Sequence, residues 1–272
     1  MRLATSLASI ACAAIILLTS ATGSAHDYWM MPDRFEYRVG DTMRLDLWLG
    51  QEMTGEESKP WQPKRTKSFS LVSTTRTVDL RPHATDGESP VLTDVVLETE
   101  GPVLVAMERR WTDITLGSAK FEDYLKHEGL AHMIAVREKR GPKAQERECY
   151  TRALKSLVQV GDAQGKVHAK VLGHLIEIVL IDDPARLDAG ARQRARLLFK
   201  GNPLAGARIV AHVRTTSGEV ATRAAVTDTK GEVGFDAAAG TWLLRTVHMT
   251  PCEGCDYAEW ESYWTSFTFA ID

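Results

Sequence analysis

In the stretch MRLDLWL, Met43, Leu45, Leu47 and Leu49 alternate with Arg44, Asp46 and Trp48, the period-two pattern of a strand with one buried face. The pattern recurs in SFSLVST (68–74), VLTDVVLET (91–99) and PVLVAMERRW (102–111). These runs are short, rich in Val, Leu and Thr, and bounded by Pro, Gly or Asp, which predicts strands separated by turns. Strands that follow one another without helices between them predict antiparallel sandwiches.

One stretch breaks the alternation. SAKFEDYLKHEGLAHMIAVREKR offers Ser118 as an N-cap, Phe121, Tyr124 and Leu125 at helical spacing, Gly129 as a stop and a second short helix after it. RECYTRALKSLVQVG (147–161) can be read with either period, and Val158 and Val160 running into Gly161 favour a strand. From Arg192 onward KGNPLAG, TSGE, DTKGE and AAAG separate strand-like runs, each supplying a glycine for a turn. The expected fold is therefore all-β, with two sandwich-like domains at 26–170 and 171–272 and a short helical insertion in the first.

The first 25 residues follow a different logic. Arg2, an apolar run over Ile10–Leu18, and Gly23 and Ala25 at the −3 and −1 positions read as a secretory signal peptide cleaved before His26. No later run is long and apolar enough to span a membrane, so the mature chain is expected in the periplasm without membrane insertion. Charge adds an exclusion: 33 basic against 36 acidic residues give a net charge of −3. The most basic stretch, REKRGPKAQER (137–147), mixes both signs, so no nucleic-acid partner is expected.

Candidate chemistry centres on His26. Cleavage before it would leave a free α-amine within chelating reach of its own imidazole, and nitrogen donors suit nickel, cobalt, copper and zinc. The aromatic and Met residues of DYWMMP, immediately after it, would pack and hold the terminus. A partner is needed, and VHMTPCEGCDYAEWESYW (247–264) offers His248 at a strand end and the pair Cys252 and Cys255. The C-x-x-C spacing allows two thiolates on one metal, although zinc sites usually show a second such pair, and in an exported chain it also reads as a local disulfide. The three cysteines left after cleavage, Cys149, Cys252 and Cys255, are an odd number, so one thiol is unpaired within the chain or paired between chains.

The other histidines rank lower. HEGLAH (127–132) resembles a zinc-protease helix, but its histidines are five apart, which puts them about 140° apart on a helix. His212 alternates with the apolar set Ile209, Ala211 and Val213 and is expected to face solvent. His83 and His168 fall in polar turns, and His174 stands at the expected domain junction. The sequence carries no G-x-S-x-G and no G-x-x-x-x-G-K, so binding is expected in place of catalysis.

Two resemblances sharpen this reading. The order of KGNPLAGAR, a strand, TDTKG and GTW resembles transthyretin-like or carboxypeptidase-regulatory-like sandwiches over roughly 190–250. AHDYWMMP, HEGL, RECYTRALKSLVQVG, LGHLIEIV and ESYWTSFTF, in that order, resemble an exported family of unknown function described as periplasmic components of cobalt/nickel ABC-type transport. That resemblance implies a nickel- or cobalt-binding accessory, with His26 as ligand and a membrane metal permease as partner. Two alternatives stay open: a copper enzyme with an N-terminal histidine brace completed by His248, and a sandwich serving as an interaction module.

Overall fold

The structure, a computed structural model, describes residues 26–188 and 190–272. The expected signal peptide, with its Cys12, lies outside the described residues.

The first half holds ten strands: β1 (Asp27–Pro32), β2 (Glu36–Tyr37), β3 (Thr42–Gln51), β4 (Thr54–Lys59), β5 (Thr66–Val72), β6 (Thr77–Asp79), β7 (Leu92–Val96), β8 (Gly101–Arg109), β9 (Thr112–Gly117) and, after two helices, β10 (Gln145–Val160). The helices are α1 (Ser118–His127) and α2 (Ala131–Arg140). Then come β11 (Ile176–Leu180), β12 (Arg192–Phe199), β13 (Asn202–Pro203), β14 (Arg208–Arg214) and β15 (Val220–Val226). The last three are β16 (Glu232–Asp236), β17 (Gly240–Pro251) and β18 (Trp260–Ile271).

The architecture is all-β with a short helical insertion, as the alternation predicts. Gly129 separates the helices at φ +73°, and a Cβ there would sit 2.7 Å from the Arg208 side chain. The positive φ is what favours glycine at this stop, since the Arg208 side chain could move aside. Among the described residues no helix is long and apolar enough to cross a membrane.

The expected halves share one sheet. Its order is β15-β14-β17-β18-β10-β8-β5-β6, with β2 and β9 also pairing β10. The join is the parallel pair β10–β18, in register from Glu148 opposite Trp260 to Ser156 opposite Thr268. A second sheet, β1-β3-β4 with β7 on β3, covers one face of this long sheet, beside the helices. A third, β11-β12-β13 with β16 on β12, covers the other face.

Strand parity decides which core each side chain joins. On β17, Leu243, Val247 and Met249 pack on the face of β1 and the helices, whereas Trp242 and Leu244 pack against the third sheet. On β18, Trp260 and Trp264 join the helices, and Tyr263, Phe267, Phe269 and Ile271 join the opposite core.

Candidate functional site

β1 forms because DYWMMP can be covered on both sides. It pairs antiparallel with β3, Asp27 opposite Gly50 through Pro32 opposite Leu45. It also lies across β18, where Ser266 Oγ donates to the Tyr28 carbonyl at 2.9 Å and Thr268 Oγ1 to the Met30 carbonyl at 2.8 Å. Trp29 and Met30 are fully buried. The chain is thus held from Asp27 onward, as the aromatic and Met residues of DYWMMP predict.

Asp27 continues the attachment with charge. Its carboxylate is buried and forms an ion pair with Arg245 at 2.8 Å, in a geometry short of a hydrogen bond. Arg245 also donates to Glu128, whose other oxygen lies 3.1 Å from His127 Nδ1. Burial raises the Asp27 pKa and Arg245 opposes the rise. Burial also pulls Glu128 upward, but His127 and Arg245 outweigh it and hold the carboxyl below its ordinary value. The hydrogen bond to Glu128 in turn raises the pKa of His127.

His212 completes this cluster. As predicted, it points away from the apolar set Ile209, Ala211 and Val213, but it is only 1% exposed, which corrects the expectation that it faces solvent. β1 lies over that face, and His212 Nε2 ends 3.6 Å from Asp27 Oδ2 with no hydrogen-bond partner. Its Nδ1 meets Thr222 Oγ1 at 2.9 Å. Burial, with the charges of Arg245 and Arg208, pushes its pKa down to about 4.

His26 stands just outside this network with its side chain exposed, and its carbonyl accepts from Arg152 Nη1 at 3.4 Å. It borders a cavity of about 410 Å³. Arg65, Arg109, Arg110, Arg152 and Lys59 contribute positive charge to the lining, and Leu49, Ile114 and Leu116 contribute apolar wall. The carboxyl in the lining, Glu148, is fully buried and accepts from Ser262 and, at 3.3 Å, from Tyr124. Desolvation pushes its pKa up to about 7 despite those donors and the Arg152 charge.

His248 lies elsewhere. It sits opposite Tyr263 in the β17–β18 register, with the Phe199 ring 4.5 Å and the His132 ring 6.3 Å away. Arg245 faces Asp27, and three residues along a strand reverse the facing, so His248 emerges on the other side of the sheet from His26. The structure therefore does not bring the two histidines together. Burial, with the charges of His132 and Lys200, drives the pKa of His248 down to about 4.

Cys252 and Cys255 form a disulfide in the loop after β17, and the Glu261 carboxylate lies 3.5 Å from Cys252 Sγ. The ligand atoms of Cys252, Cys255 and Glu261 lie within 4.8 Å of one another, so the three could hold a metal ion once the disulfide is reduced. Among the described residues Cys149 is the free cysteine, buried, with its pKa pushed up to about 12 by desolvation and Asp113. His168, expected in a polar turn, is buried, and so is His174.

Sequence reasoning missed the partners Asp27, Glu128 and Arg245 and the arginines of the cavity. The adjacent pairs His26-Asp27 and His127-Glu128 were visible, but nothing local showed that both carboxylates meet one arginine.

A family model described as "Domain of unknown function (DUF4198)" matches residues 23–250. No curated protein matches the sequence significantly. Among solved structures, one match is a tetra-tandem repeat in the extending region of a large adhesion protein, at 10% identity and TM-score 0.23. It covers 91% of this chain, which spans half the length of that one. Another is the D0-D1 domain of Intimin, at 12% identity and TM-score 0.21, covering 89% of this chain and 97% of its own. Likeness at these scores carries no argument about fold or function.

Proposed function

The chain belongs to the DUF4198 family, and on that premise we propose that it is an exported binding protein for a divalent transition metal, nickel or cobalt first, held by the α-amine and imidazole of His26 and passed to a membrane permease. The observation that carries this reading is the attachment of β1. Pairing with β3, hydrogen bonds from β18 and the Asp27–Arg245 ion pair fix the backbone next to His26, while its side chain remains exposed. A chelate formed there loses little additional chain entropy on binding metal. A frayed terminus would lack that advantage.

The donor set fits the metals named: an amine and an imidazole are neutral nitrogen ligands when deprotonated. His248 lies away from His26, and Cys252, Cys255 and Glu261 would form a separate group, open to a metal only with the disulfide reduced. His127 is the partly exposed imidazole held by the same charge network, through Glu128. The cationic cavity beside His26 disfavours a bare divalent ion, so an anionic co-ligand would favour binding.

Titration calorimetry of nickel, cobalt, copper and zinc into protein beginning at His26, compared with protein carrying one additional residue before it, tests the proposal. Tight nickel or cobalt binding by the first form alone supports it. Equal behaviour of the two forms overturns it, and a preference for copper would redirect it to copper chemistry.

A further inference from the structure

Four of the cations lining the cavity have no counter-ion. Lys59 pairs with Glu57 at 2.6 Å, but among the described residues no carboxylate lies within ion-pair distance of Arg65, Arg109, Arg110 or Arg152. Glu148, the carboxyl in the lining, feels the Arg152 charge but forms no ion pair with any of the four, and one of its oxygens accepts from Ser262 and Tyr124. Arg109 is the most exacting case: Nη2 donates to Gln62 Oε1 at 2.8 Å, whereas Nη1 is buried without a partner. A buried, unpaired donor on a charged group is costly, and native structures seldom retain one without a use.

Arg109 and Arg152 also share an aromatic support, and the Arg152 charge acts on Arg109. Arg109 and Arg152 lie 5.5 and 5.2 Å from the centroid of the same Tyr28 ring, and Arg152 is 5.0 Å from the Trp264 ring. The aromatic rings thus act as supports that aim the cations. Like charges assembled without an ion pair disfavour the empty state, and a polyanion would relieve that repulsion. The cavity volume of about 410 Å³ suits a small organic molecule, and Leu49, Ile114 and Leu116 offer surface for its carbon body.

We propose that this cavity binds a small organic anion with two or more acidic groups, gripped by Arg109 and Arg152 in the forked geometry that guanidinium offers to carboxylate and phosphate alike. This goes beyond the metal reading and does not depend on it.

The test is calorimetry in metal-free buffer with protein passed over a chelating resin. Citrate represents the polycarboxylates, fructose 1,6-bisphosphate the organic phosphates, and inorganic sulfate serves as the control. Saturable binding of citrate or the bisphosphate is expected, at least about tenfold tighter than sulfate, and the stronger of the two identifies the acidic group. Arg109→Gln and Arg152→Gln should each weaken it by at least about tenfold, the worth of a charge-assisted hydrogen bond. Ile114→Trp, at a wall position 40% exposed and able to take a larger side chain, should block binding while leaving the thermal midpoint near that of the wild type. No saturable heat with either organic anion, sulfate binding as tightly, or both glutamine variants binding like wild type would overturn the proposal.

Discussion

Asp27 Oδ1 lies 2.8 Å from Arg245 Nε, joining the first described strand, β1, to β17 near the other end of the sequence. The pair explains why β1 stays on the sheet, and through Glu128 it also ties the helical insertion to the same point.

Asp27→Ala should destabilise the protein by about 3–5 kcal/mol, because it leaves Arg245 buried with half its compensation gone. Urea denaturation measures this directly. If His26 is the metal ligand, the same variant should weaken metal binding although the donor atoms are untouched. A variant that unfolds at the wild-type urea concentration would show that the ion pair holds nothing.

Glu148 should make stability fall as pH rises. Its pKa is about 7 in the fold against an ordinary 4.5, so between those values the folded state holds a proton that the unfolded state has released. Stability then decreases with pH across that window, by about 3 kcal/mol in total. The groups that set this are Tyr124 from α1, Ser262 and Trp264 from β18, and Arg152 from β10 itself. Glu148→Gln should remove this falling contribution from denaturation curves collected from pH 4.5 to 7.

His212 works in the opposite sense. Its folded pKa of about 4 lies below the ordinary 6.5, so in that interval the unfolded state binds the additional proton and stability is lost as pH falls. The shift is again worth about 3 kcal/mol, which means the two effects nearly cancel between pH 4.5 and 6.5. The charged neighbours are Arg245 on β17, Arg208 on β14, Glu128 at the end of α1 and Asp27 on β1. His212→Asn, which can still meet Thr222, should therefore expose a stability that declines with pH, and Glu148→Gln one that increases. Parallel pH profiles for the two variants would contradict both assignments.

The buried pair Lys155 and Glu177, at 2.7 Å and each 1% exposed, should show the asymmetry of interior ion pairs. Lys155→Met alone should cost about 3–5 kcal/mol, whereas Lys155→Met with Glu177→Leu should recover much of it. The recovery will be partial, since Glu177 also accepts from the backbone N–H of Leu172 and Gly173 at 2.8 and 3.0 Å. Thermal unfolding of the single and double variants decides the point.

Thiol counting checks the cysteine assignment. In denaturant without reductant, protein beginning at His26 should react with one equivalent of a thiol reagent, at Cys149, and the native protein should react slowly because that thiol is buried. Three reactive thiols would return Cys252 and Cys255 to the list of metal donors.

The alternation of Met43, Leu45, Leu47 and Leu49 was enough to place β3, and the same rule located β5, β7, β8 and, less securely, β10. The helix–Gly129–helix insertion was equally local, because one positive φ and the spacing of Phe121, Tyr124 and Leu125 define it. Local pattern also showed that His212 lies opposite Ile209, Ala211 and Val213. It could not show what covers that face. Burial of His212 depends on β1 crossing from the far end of the chain, and the separation of His26 from His248 depends on which face of β17 receives β1. The arginines of the cavity come from the turn at Pro63–Arg65, the end of β8 and the middle of β10. Periodicity fixes how neighbours in one strand face relative to each other, while long-range pairing determines which side chains from distant strands converge.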